Sequence, residues 1–265
     1  SPFFKDFRNR FINAKKILAI QKNISKNNGN DKTNEKSEFT IIGVGDIMLG
    51  SNYPFEYLLP ENDTNILENM QNILKNADIT AGNLEGTLFD TGGTPKSCNN
   101  PNVCYAFRMP SRYGTYLKQA GFDYLSIANN HSNDFGKIGI KETIKNLDNL
   151  GIKYSGIKDI AESAILEKNG KKFGFISFSP NSATVKLNDY NYAKKLISEL
   201  KSKVDIVIVM FHGGAEGANA EHITKRHEIF HGEDRGNVYE FAHFAIDNGA
   251  DVIFGQGPHV TRAVE

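Results

Sequence analysis

Residues able to bind a metal ion or move a proton recur in this chain at the ends of short apolar runs. The run Ile41-Ile42-Gly43-Val44-Gly45 leads into Asp46, whose carboxylate is a hard oxygen ligand and whose glycine neighbour lets the backbone turn closely. Ile79-Thr80-Ala81-Gly82 leads into Asn83 and Glu85, which an extended chain would place on one side. Tyr124-Leu125-Ser126-Ile127-Ala128 leads into Asn129, Asn130 and His131, with Asp134 close behind. There an amide oxygen can ligate a metal while the neighbouring imidazole protonates a leaving oxygen, a division of labour suited to ester or amide cleavage. Val209-Met210-Phe211 precedes His212 and then Glu216, and the apolar run ending at Phe254 precedes His259 among glycines.

Each segment alone has a plainer alternative: a Gly-Asp turn, an Asn cap, a histidine capping a helix. It is their repetition after apolar runs that points to a site. The other histidines do not share the pattern. His222, His227 and His231 lie in a polar insertion, where the i,i+4 pair reads as a solvated face, and His243 lies within a helical pattern.

Convergence requires elements that bring these ends together. Strands are expected at Phe39 to Gly45, Ile79 to Gly82, Tyr124 to Ala128, Lys172 to Phe178, Ile206 to Phe211 and Val252 to Phe254. Helical patterns fall between them, at Asn65 to Asn76, Tyr113 to Ala120, Ile138 to Leu150, Tyr192 to Leu200 and Val238 to Asn248. This alternation predicts a layered α/β fold with parallel pairings, in which the carboxyl ends of the strands open into one crevice.

A chain of 265 residues that is 39% hydrophobic can bury one substantial core. Residues 1–38 begin basic and aromatic and continue as a polar linker, so the main domain is expected over 39–265. The 31 basic residues balance 31 acidic ones, so no global field favours nucleic acid. No apolar run of about eighteen residues is present to span a membrane. The opening residue is Ser1 rather than methionine, which leaves a preceding leader or anchor an open matter. Cys98 and Cys104 share a short Asn- and Pro-containing loop; a local disulfide, and with it a place outside the cytosol, is the expectation, with two unpaired thiols as the alternative.

Together, Gly45-Asp46, Asn83-Leu84-Glu85-Gly86, Asn129-Asn130-His131 with Asp134, His212-Gly213-Gly214 and Gly257-Pro258-His259-Val260 resemble the bacterial capsule-synthesis family that includes the poly-γ-glutamate CapA and PgsA proteins. The resemblance runs from about Phe39 to Glu265. It implies an αββα sandwich like that of the calcineurin-like metallophosphoesterases, with further strands after Glu265. It also implies one or two divalent ions, Mn²⁺ or Mg²⁺ ahead of Zn²⁺ or Fe. Asp46 and Glu85 would be acidic ligands, with Glu85 bridging, and Asn130, His212 and His259 would complete the set. His131 would be the general acid, Asp134 and Glu216 would be further catalytic candidates lying behind the ligands or facing substrate, and Asn83 and Asn129 would face substrate.

Two positions depart from the phosphoesterase pattern: Met48 and Gly257 stand where histidines would supply nitrogen ligands. The function implied is that of an extracytoplasmic, envelope-located hydrolase or transferase acting on an anionic polymer or a small ester or amide, beside membrane-bound synthesis and export proteins. The alternative is a non-catalytic scaffold of such a complex.

Overall fold

A computed structural model describes residues 18–23, 38–98 and 104–265. The polar linker and most of the basic segment expected before Phe39 lie outside the described residues. Leu18–Asn23 (β1) pairs antiparallel with Glu38–Ile47 (β2). Ile79–Leu84 (β3), Tyr124–Ser126 (β4) and Lys153–Ser155 (β5) continue the sheet in parallel, in the order β1-β2-β3-β4-β5.

A second sheet holds Ser163–Lys168 (β6), Lys171–Phe178 (β7), Ile206–His212 (β8) and Val252–Gln256 (β9), in the order β9-β8-β7-β6. Here β7, β8 and β9 are parallel, and β6 joins β7 as an antiparallel hairpin. Its turn is Asn169-Gly170, both with positive φ, as a two-residue hairpin turn requires.

Strand periodicity assigns each side chain to a layer. On β7, Phe173 and Phe175 face the first sheet, while Ile176 and Phe178 face outward. On β8, Ile206, Ile208 and Met210 point inward, while Val207 and Val209 point outward. The inner layer meets Phe39, Ile41, Ile79, Ala81 and Tyr124 of the first sheet. Tyr124 ties the sheets together: its ring stacks on Phe175 at 4.1 Å, and its hydroxyl bonds Ser155 Oγ at 2.6 Å and Ser177 Oγ at 2.5 Å. Each fully buried side chain of this size contributes about 1.5–3 kcal/mol. Gly43 permits the close approach, since a Cβ there would lie 2.4 Å from the Phe254 ring.

Helices cover both outer faces. Gly114–Ala120 (α1) and Gly136–Leu150 (α2) pack Leu117, Ile140 and Leu147 against Ile42, Leu84 and Leu125. Tyr190–Lys201 (α3) and Val238–Asp247 (α4) pack Ile197, Leu200 and Phe241 against Ile176, Val207 and Val209. The fold is therefore an αββα sandwich. Caps set the helix ends: Asp189 and Asn237 accept from Tyr192 N and Glu240 N, and Gly121 and Gly151 close α1 and α2 in the left-handed conformation.

The expected helix over Asn65 to Asn76 is instead a 3-10 turn, Glu68–Met70, followed by the four-residue helix Gln71–Leu74. Asparagine side chains compete with helical backbone bonds, and Asn65 Oδ1 accepts from Leu67 N at 3.0 Å. The expected disulfide is present: Cys98 and Cys104 are joined, with Cα atoms 5.6 Å apart. Among the described residues, no helix is long and apolar enough to cross a membrane.

Candidate metal centre

Periodicity also determines which polar residues meet. Asn83 follows Ile79 and Ala81 on the inner face of β3, and His212 follows Ile208 and Met210 on the inner face of β8. Regular alternation would turn Asp46 to the outer face with Ile42 and Val44. A register shift between Gly43 and Asp46 prevents this: Gly43 pairs with Ala81 but Asp46 with Asn83, three residues against two. The extra residue of this bulge turns Asp46 inward and sends Ile47 to the outer core.

Asp46 is the hub of the resulting cluster. Asn83 Nδ2 donates to its Oδ1 at 2.6 Å, and Gly257 N donates to its Oδ2 at 3.1 Å. His212 Nδ1 lies 3.3 Å from Oδ1, and His259 Nε2 lies 3.4 Å from Oδ2. His259 Nε2 is also 3.8 Å from Glu85 Oε2, and its Nδ1 is 3.4 Å from Glu216 Oε2. Asn129 Nδ2 donates to Asn83 Oδ1 at 3.1 Å and to Leu84 O at 2.8 Å, bracing the turn that carries Glu85.

His131 approaches from the other side. Its Nδ1 is 2.8 Å from Asp134 Oδ2, its Nε2 is 3.9 Å from Glu85 Oε1, and its ring stacks on Phe107 at 4.1 Å. Asn130 makes no hydrogen bond to this group; its Oδ1 is buried without a partner.

The residues fit a divalent cation. Ligand atoms of Asp46, Glu85 and His212 lie within 4.8 Å of one another, and the three side chains are largely shielded from water. Buried carboxylates this close need a positive charge between them. Burial by itself would raise the Asp46 carboxyl, but His212 and His259 outweigh it and hold the group well below the usual carboxylate range. Burial would likewise raise Glu216, and His259, followed by Arg235, brings it down. Burial would lower the His259 imidazole, yet its bonds to Asp46, Glu216 and Glu85 prevail and push it up to about 12. In the metal-free protein, a proton on His259 therefore stands where cationic charge is needed.

The profile of bacterial capsule synthesis protein PGA_cap matches residues 40–265. The chain belongs to this family. It is similar to the capsule biosynthesis protein CapA of Bacillus anthracis, 27% identical over 88% of this chain and 57% of that one. It is also similar to the PGA biosynthesis protein CapA of Bacillus subtilis (strain 168), 29% identical over 88% of this chain and 61% of that one. The chain thus spans roughly three-fifths of the length of these curated relatives. Among solved structures it is similar to a hypothetical protein from Thermus thermophilus, at 17% identity, covering 83% of this chain and 68% of that one, with a TM-score of 0.47.

In this member of the capsule synthesis family, two positions where the phosphoesterase pattern has histidines are occupied differently. Met48 is buried, with its sulfur accepting from Gly50 N at 3.2 Å. Gly257 has φ 110, and a Cβ there would lie 3.1 Å from both Gly213 N and Gly213 O, so a histidine is excluded without backbone movement. His259 itself adopts φ 55, a region few non-glycine residues occupy.

Three supporting residues escaped the sequence reading. Lys96 Nζ is 2.6 Å from Asp134 Oδ1, and buried Arg235 places Nη1 3.4 Å from Glu216 Oε1. Arg262 donates from Nη1 and Nη2 to the two oxygens of buried Glu228, which also accepts from Ala215 N, fixing the loop that carries Glu216. These cations sit in polar loops, where sequence offers nothing to mark them. His227 pairs instead with Asp234 at 2.9 Å and His243 with Glu265 at 3.0 Å, both at the surface.

Cation binding should strengthen with pH. If His259 is a ligand, it must shed its proton, and with its pKa raised to about 12 it is protonated throughout the neutral range. Each ion bound then releases about one proton, and affinity rises about tenfold per pH unit. Mn²⁺ titrations at several pH values, in buffers of different ionisation enthalpy, measure both quantities; a pH-independent affinity would exclude His259 as a ligand. In the metal-free protein the sign is opposite. The raised value stabilises the fold fully below the free imidazole's 6.5, and that contribution fades as pH climbs towards about 12.

Proposed function

We propose that this chain acts in capsule or poly-γ-glutamate synthesis at the cell envelope, as a metal-dependent hydrolase or transferase on a polymer amide or ester. The observation that carries this reading is the Asp134–His131 pair, whose free Nε2 is directed at Glu85 inside the carboxylate–imidazole cluster. Asp46, Glu85, His212 and His259 would hold the ion, with Asn130 Oδ1 a further acceptor. Their oxygen-rich set suits Mn²⁺ or Mg²⁺. When bound, such an ion supplies Lewis acidity at a carbonyl or phosphoryl oxygen.

The chain's own residues supply orientation and a proton. Asp134 holds His131 Nδ1, which leaves Nε2 to deliver a proton to the leaving atom. Phe107 fixes the plane of the ring. Arg235 holds Glu216, and Glu216 in turn steadies His259. The disulfide and the capsule-synthesis relatives support an extracytoplasmic place.

The test is turnover by purified protein, with and without Mn²⁺, on a γ-glutamyl amide and on a phosphodiester. Mn²⁺-dependent cleavage or transfer on either supports the proposal. The second reading, a scaffold for polymer synthesis and export, draws on the nitrogen ligands missing at Met48 and Gly257. Failure to bind any divalent ion, together with no turnover, would replace the enzymatic reading with the scaffold.

A further inference from the structure

The connection between β2 and β3 turns apolar side chains to solvent. Of the ten large hydrophobic residues exposed among the described residues, four lie within residues 55–76: Phe55 at 56%, Tyr57 at 72%, Ile66 at 50% and Ile73 at 49%. Singly such residues are ordinary, but four on one connection make a surface that calls for a partner. Phe55 and Tyr57 stack on each other at 5.3 Å and still leave most of both side chains in solvent. Ile66 and Ile73 precede Leu67 and Leu74, which pack into the outer core of the first sheet, so the two isoleucines point the other way.

The charge on this connection narrows the choice of partner. Exposed Glu56, Glu61 and Glu68 are interleaved with the apolar residues, and none makes an ion pair with a described residue. Asp63 is already matched by Arg112 at 2.7 Å, and Lys75 is the one basic residue on the stretch. An apolar, anionic surface opposes anionic lipid and favours a cationic, aromatic occupant. The chain carries one. Residues 1–17, outside the described residues, include Phe3, Phe4, Phe7 and Phe11, with Lys5, Arg8, Arg10, Lys15 and Lys16 against the single acid Asp6. At helical spacing Phe4, Phe7 and Phe11 fall on one face. The point of attachment also suits. Leu18 pairs with Gly43 and β1 runs antiparallel to β2, so the chain before Leu18 arrives from the end of β2 at which the connection departs.

We infer that residues 3–12 dock in cis on the 55–76 connection. Phe4, Phe7 and Phe11 cover its exposed apolar side chains, and Lys5, Arg8 and Arg10 meet Glu56, Glu61 and Glu68. Residues 13–17 then form a tether to β1 of up to about 17 Å. The interface stands whether or not the metal centre is catalytic, but it borders that centre. Asn52 N, just ahead of the patch, donates to Arg108 O, and the neighbouring Phe107 stacks on His131. Docking thus ties the first residues of this chain to the rim of the site.

The experiment is hydrogen exchange of the full chain, read by mass spectrometry, and requires no turnover. At low ionic strength residues 3–12 should exchange at least about tenfold more slowly than an unfolded chain, and added salt should reduce that protection by screening the charges. Reversing the patch, with Glu56→Lys, Glu61→Lys and Glu68→Lys together, should remove the protection. Reversing the segment, with Lys5→Glu, Arg8→Glu and Arg10→Glu, should do the same. All six substitutions combined should bring it back, which a general loss of structure could not do. Phe55→Ser with Tyr57→Ser should weaken it without changing the charge.

Exchange of residues 3–12 at the unfolded rate in the parent chain would overturn the inference, as would protection that survives reversal of the patch. Failure of the combined variant to regain protection would overturn the charge match. Protection that rises with protein concentration would give the surface to a second copy of the chain, and protection seen only with phosphatidylglycerol vesicles would give the segment to a membrane. Either result overturns docking in cis.

Discussion

Asp46→Asn is expected to abolish tight divalent-ion binding, lowering affinity by more than about 100-fold and taking any metal-dependent turnover with it. The substitution is nearly isosteric but removes the charge at the hub. Asn83 Nδ2, Gly257 N, His212 and His259 all converge on this one carboxylate. Loss of an outer partner of a metal ligand typically costs about 10–100-fold, so loss of a ligand at the hub should exceed that range. The amide also presents a donor where Asn83 already donates, which adds a local repulsion. Calorimetric titration with Mn²⁺ measures the loss, and thermal unfolding of the metal-free variant separates it from misfolding. Affinity within a few-fold of the parent protein would remove Asp46 from the ligand set.

His131→Ala should leave ion affinity within a few-fold of the parent protein while turnover falls about 10²–10⁴-fold, the usual contribution of a positioned acid or base. The split follows from geometry: Nδ1 is committed to Asp134, and Nε2 stands 3.9 Å from the nearer Glu85 oxygen. Asp134→Asn should reproduce part of the loss, because an amide no longer selects the same imidazole tautomer. That variant should also be destabilised by about 1–3 kcal/mol, since the buried carboxylate accepts from Phe107 N and pairs with Lys96. Turnover on the best substrate found, alongside the Mn²⁺ titration, reads both effects. Full turnover in His131→Ala would exclude it as the proton donor.

Much of the sandwich was legible because its strands are short, apolar and separated by helical periods. The core of each strand expected from Phe39 onward lies where the structure has one, and four of the five helical patterns form helices. The hairpin Ser163–Lys168 with Lys171–Phe178 had a signal in Asn169-Gly170 that the expected elements left unused. The failed helix before β3 was a matter of asparagine competition, which a count of apolar spacings does not register.

The Asn129-Asn130-His131 turn, Asp46, Asn83, Glu85, His212, Glu216 and His259 were named from residue type and from their place after apolar runs. Two-residue periodicity by itself determines that Asn83 shares a face with Ile79 and Ala81, and His212 one with Ile208 and Met210, because side chains on a strand must alternate; packing decided that this face is the inner one. Asp46 is different. Its inward aim depends on the bulge between Gly43 and Asp46, a pairing between distant segments that no local pattern specifies. The supporting cations Lys96, Arg235 and Arg262 likewise acquire their meaning only from carboxylates brought near by folding. The sequence alone determined which chemistry the strand ends could supply; tertiary structure decided which of those groups meet, because contact across the sandwich depends on register and packing rather than on separation along the chain.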